Sequence, residues 1–193
     1  MKKRTLTKET VLAAAVELTE ERGLPELTMP ALAAKLGIKT ASLYNHISGI
    51  DEVKLYLARY AIAELGNAAR DDVIGHSKED ALLRFAFSWR KFALEHPELN
   101  RALNTYANQR ELVNFQDEGS VAIIAHKILE SYHLTREQHG KFARMFRSAL
   151  YGFITLETAG VFKNAEGVEE SFEYMVKHII SALNEMEEEN GKQ

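Results

Sequence analysis

Apolar residues recur at three- and four-residue spacings along almost the whole chain, and no stretch alternates with period two. That pattern predicts helices and no strands. A first helix is expected over residues 7–22, with Val11, Ala14, Ala15 and Leu18 on one face, Thr7 as its cap and Gly23 as its stop. Thr28 caps a short second helix over 29–36, with Pro30 in the first turn, where a missing N–H costs little. Gly37 ends it, and a third short helix follows, closing near His46. After a break at Ser48-Gly49, a fourth helix runs over 51–70. Ser77 opens a fifth over 78–95, which His96-Pro97 closes. Further helices are expected over 98–106, 111–132, 135–161 and 168–188, the eighth opened by the capping box Thr135-Arg136-Glu137-Gln138. The expected fold is all-α with about nine helices. A three-helix head over 1–50 is joined by the helix over 51–70 to a larger bundle over 77–188.

Within the head, Leu32 and Leu36 lie one turn apart and face inward, as do Leu43 and Ile47. Ala33 lets the crossing helix approach, and Gly37 supplies the positive φ that ends the second helix. Lys39, Thr40, Ala41, Ser42, Tyr44, Asn45 and His46 are left facing outward. Such a face suits a helix that enters a major groove: short enough for close approach, polar enough to read base edges and phosphates. Spacing alone fits a plain αα-hairpin with a polar outer face equally well.

Charge sharpens the choice. The 193-residue chain carries a net −4, but residues 1–50 hold seven Lys and Arg against five Asp and Glu, and the remainder is acidic. Lys2, Lys3, Arg4 and Lys8 crowd the start, while residues 185–189 form an acidic run interrupted by Met186. One end can meet phosphates and the other is repelled by them. The absence of cysteine excludes disulfides, thiolate catalysis and cysteine-ligated metal, and fits a cytoplasmic protein. No apolar run reaches the roughly 18 residues of a membrane span, and no signal peptide is expected.

The string Leu-Thr-Met, then Leu-Ala-Ala-Lys-Leu-Gly-Ile, then Ala-Ser-Leu-Tyr-Asn-His-Ile resembles the DNA-binding domain of the TetR family. The helix ending in Glu-Arg-Gly-Leu resembles that family's first helix, so the likeness covers about residues 7–60. It implies a helix-turn-helix head and operator DNA as partner. Tyr44 and His46 would grip phosphates, Thr28 would offer a phosphate its hydroxyl and helix-end amides, and Lys39, Thr40, Ser42 and Asn45 would approach base edges. Two positions depart from the family pattern. Ile50 stands where a phosphate-binding lysine is common, and Pro30 where a polar or basic residue is common. The arm of Lys2, Lys3 and Arg4 is expected to compensate.

The segment 145–157 resembles the eighth helix of the TetR subgroup whose regulatory domain is named for Trp and His-Gly residues, with Tyr151-Gly152 in place of His-Gly. That likeness implies a small-molecule effector pocket, assigned here to Phe85, Trp89, Phe92, Tyr106, Tyr132, Phe146 and Tyr151, although most aromatics must simply be core. It also implies a homodimer through the last two helices, assigned to Gly152, Ala159, Phe172, Met175, Ile179 and Leu183. The expected function is a repressor released from a palindromic operator by an effector. The alternative is a helical ligand-binding or interaction module with weakened DNA binding, which Ile50 and Pro30 favour. No catalytic constellation stands out, and no histidine spacing demands a metal. No enzyme activity, cofactor or metal is therefore expected.

Overall fold

The computed structural model describes residues 6–106, 121–163 and 166–191. Among them are nine α-helices, one 3₁₀ turn and no strand. In chain order these are α1 (Lys8–Arg22), the 3₁₀ turn Leu24–Glu26, α2 (Met29–Leu36), α3 (Thr40–Leu43), α4 (Ile50–Val73), α5 (Lys78–Glu95), α6 (Pro97–Tyr106), α7 (Val121–Leu129), α8 (Arg136–Thr158) and α9 (Val168–Gly191). The helix expected over 111–132 is seen only from Val121 onward; its first half lies outside the described residues. The chain divides into two compact units: residues 1–64 with 96–116, and residues 65–95 with 117–193.

In the first unit the local signals act as the sequence predicts. Thr7 and Thr10 form a reciprocal capping box at the start of α1, and Gly37 closes α2 in the left-handed conformation, φ 67°. Val11, Ala15 and Leu18 of α1, Leu32 of α2 and Leu43 and Ile47 around α3 are buried together with Val53 and Leu57 of α4. Helix α6 packs against α1 in this unit and contributes Leu99, Ala102 and Leu103 to the core. Two polar ties hold its start. Glu98 Oε2 accepts from the Leu24 amide at 2.6 Å, and His96 Nδ1 lies 3.2 Å from Glu20 Oε2. Position along the chain places residues 98–106 with the second bundle, whereas their buried apolar side chains belong to the first unit.

The second unit contains the end of α4 with α5, α7, α8 and α9. Its core is aromatic: Phe85 meets Trp89 edge-on and lies 6.3 Å from Phe146, Phe142 stacks on Phe146 at 5.5 Å, and Phe172 takes both Phe87 and Phe153 edge-on. Arg90 of α5 grips Glu157 of α8 with two donors, at 2.6 and 2.9 Å, and reaches Glu169 of α9 at 3.2 Å. One cation therefore ties three helices.

Candidate nucleic-acid interface

Helix α3 is held by its apolar side. Leu43 and Ile47 are buried, whereas Lys39, Ala41, Tyr44 and Asn45 are exposed and Thr40, Ser42 and His46 are half-buried. Tyr44 keeps 59% of its surface in solvent. Thr28 is exposed and its hydroxyl accepts from the Ala31 amide at 3.2 Å, capping α2. Lys3 and Arg4 lie outside the described residues.

A buttress not evident from helical spacing fixes the turn after α3. Glu52, on the first turn of α4, accepts from both the Ser48 amide (2.6 Å) and the Ser48 hydroxyl (2.8 Å), and its other oxygen pairs with Lys8 of α1. The Lys8 ammonium and the two Ser48 donors all favour the charged form, so the carboxyl is held down at about 2. A serine four residues before a glutamate at a helix start was the available signal. Its cost is that Lys8, counted above with the basic arm, is committed to an internal pair. Lys35 is likewise committed, to Glu21 at 2.9 Å and Glu17 at 3.3 Å.

The residues assigned to an effector pocket do not all converge. Phe85, Trp89, Phe92 and Phe146 are buried in the second unit, and Tyr132 is 5% exposed with a hydroxyl that finds no hydrogen-bond partner among the described residues. Tyr151 is 44% exposed, and Tyr106 belongs to the first unit. A cavity of about 290 Å³ in the second unit is lined instead by residues including Arg70, Val73, Ser77, Lys127 and Ile128. Of the residues assigned to the dimer face, Phe172 and Leu183 are fully buried within the unit, so they offer a partner nothing. Gly152, Met175 and Ile179 are half-buried and Ala159 is exposed. Met145, Tyr151 and Leu156 of α8 and Tyr174 of α9 are exposed apolar or aromatic groups that the assignment left out. The histidines also sit differently from their sequence spacing, since His126 Nδ1 of α7 lies 3.1 Å from His139 Nε2 of α8.

This geometry is that of a helix-turn-helix protein: a short exposed helix, anchored from behind and preceded by a capped partner helix, on an all-helical frame. Comparison with known proteins agrees. Residues 11–53 match the family of bacterial regulatory proteins typified by TetR, and residues 82–179 match the tetracyclin repressor-like C-terminal domain. The chain is 27% identical over 180 residues to YobS, an HTH-type transcriptional regulator of Bacillus subtilis, covering 92% of this chain and 93% of that one. It is 30% identical over 159 residues to the HTH-type transcriptional regulator Rv0681 of Mycobacterium tuberculosis, covering 81% and 72%. Its fold is shared by a TetR variant from Acinetobacter baumannii AYE in complex with minocycline, with a TM-score of 0.73, 21% identity and coverage of 95% and 99%. It is shared also by BioQ with its double-stranded DNA operator, with a TM-score of 0.68, 19% identity and coverage of 93% and 98%. The chain belongs to the TetR family and is a DNA-binding transcriptional regulator.

Proposed function

We propose that this regulator is a homodimeric repressor that holds a palindromic operator and is released from it by a small-molecule effector, acting in the cytoplasm and catalysing nothing. The observation that carries the reading is the presentation of α3. Leu43 and Ile47 are buried behind it, Lys39, Ala41, Tyr44 and Asn45 stand exposed in front, and Glu52 pins the turn that follows. Two relatives in fold support the two halves of the reading, BioQ with its operator and the A. baumannii TetR variant with minocycline. Tyr44 and His46 grip phosphates, Asn45 pairs with adenine, and Lys39, Thr40 and Ser42 meet base edges, with the Lys3 and Arg4 arm adding charge. Ala41 permits the close approach.

The two heads of a dimer meet half-sites roughly 34–36 Å apart. The dimer face runs along α8 through Met145, Gly152, Leu156 and Ala159, with Met175 and Ile179 of α9 beside it. The effector enters the second unit near Phe85, Trp89, Phe92 and Phe146. It must favour the released state by about 1–3 kcal/mol to act. No helix among the described residues is long and apolar enough to cross a membrane.

Footprinting and salt-dependent binding to the DNA upstream of the chain's own gene test the reading. Tyr44→Ala with Asn45→Ala is expected to weaken operator binding at least 100-fold, while light scattering still reports a dimer and the melting temperature holds. A purified dimer with no salt-sensitive, sequence-specific DNA binding would leave the helical ligand-binding module in its place.

A further inference from the structure

The two residues that depart from the TetR pattern are not scattered. Pro30 and Ile50 line one open groove of about 600 Å³ on the first unit, bordered by the chain around the 3₁₀ turn, the start of α2, the start of α4 and α6. Its wall is mostly apolar, with Leu27, Met29 and Tyr106 adding to Pro30 and Ile50. Among the described residues the charged side chains that line it are both cations, Lys54 one turn along α4 from Ile50, and Arg101 of α6. Both cations are open to solvent, Arg101 more than Lys54, and their acidic neighbours among the described residues lie at ion-pair range. Lys54 Nζ lies 3.7 Å from Asp51, and Arg101 Nη2 lies 3.5 Å from Glu98, both long for hydrogen bonds. Glu98 is already engaged by the Leu24 amide. A lysine at position 50 would put an ammonium on this wall, whereas isoleucine makes it apolar.

Small-molecule sites are concave, about 300–1,000 Å³, mainly apolar, with a few polar groups that fix orientation. This groove has that size and make-up, and its polar groups call for negative charge. We propose that it binds a small amphipathic carboxylate, with the tail against Ile50, Pro30 and Tyr106 and the carboxylate between Lys54 and Arg101. Thr28, assigned above to a DNA phosphate, is on the same wall. Occupancy therefore competes with DNA at the head itself, without a signal from the second unit. The competition rests on the DNA-binding reading; the ligand site does not.

The test uses full-length protein labelled at methionine methyl groups and titrated with decanoate, without DNA. The Met29 resonance is expected to move with saturation at one ligand per chain, while Met145 and Met175 stay in place. Lys54→Gln and Arg101→Gln should each weaken binding about fivefold or more with unchanged melting temperatures, and decanol should bind at least tenfold more weakly than decanoate. An immobile Met29 signal, movement at Met145 or Met175 alone, or wild-type affinity in both variants overturns the site. Operator binding by the ligand-free protein is measured separately. If that binding is intact and decanoate saturates the Met29 site without lowering it, the proposed competition is wrong.

Discussion

At the scale of single residues, Glu52 contributes most that composition could not show. Its carboxylate is counted among the acidic groups of a net-negative chain, yet it neutralises Lys8 and holds Ser48 in the turn that aims α3. Glu52→Gln keeps an acceptor but loses the charge, and is expected to cost about 1–2 kcal/mol. The pH dependence has a definite sign. The folded value of about 2 lies below the ordinary 4.5, so this stabilisation is complete above about pH 4.5 and is lost as pH falls toward 2. Thermal melts of wild type and variant should differ most at pH 6, draw closer as pH falls below about 4.5 and converge only toward pH 2; a constant gap would assign the effect to packing alone. The residues of the α3 face were legible because burial and exposure follow directly from three- and four-residue spacing. Glu52 was not, because its partners come from two other elements and only the folded turn brings them together.

At the scale of helices, Arg90 is the joint of the second unit. The Arg90 and Glu157 side chains are 12% and 13% exposed and share two hydrogen bonds. Arg90→Ala strands Glu157 with little solvent to compensate, and is expected to cost about 3 kcal/mol in chemical denaturation. Pairing Arg90→Met with Glu157→Leu should recover most of that loss, which a pair valued only for its attraction would not allow. The face of α8 gives a second expectation. Met145, Gly152, Leu156 and Ala159 recur along it at intervals of seven, four and three, and none is buried. Leu156→Glu is expected to convert the proposed dimer to monomer at micromolar concentration, read by sedimentation velocity, without lowering helix content. Helical spacing identified α8 and α9 as amphipathic but could not tell which apolar residues face inward. Phe172 and Leu183 belong to the protomer core because a long helix in a bundle carries two apolar stripes, and periodicity does not distinguish them.

At the scale of the whole molecule, capping signals and glycine stops fixed most helix boundaries to within a few residues, since each is a local event of one or two side chains. Membership of a compact unit is not local. Only His96 separates α6 from α5 along the chain, yet Leu99, Ala102 and Leu103 are buried in the same unit as α1. The chain therefore leaves the first unit within α4 and returns to it at residue 96. This bears on how such a regulator can be cut and recombined. A graft of residues 1–64 alone onto a foreign sensor omits the segment that covers α1 and caps the Leu24 amide, and is expected to yield a loosened, aggregation-prone head with few protected amides in hydrogen exchange. A chimaera that also carries residues 96–106 should restore that protection. For this fold the exchangeable module is discontinuous, two pieces of chain that must be transplanted as one.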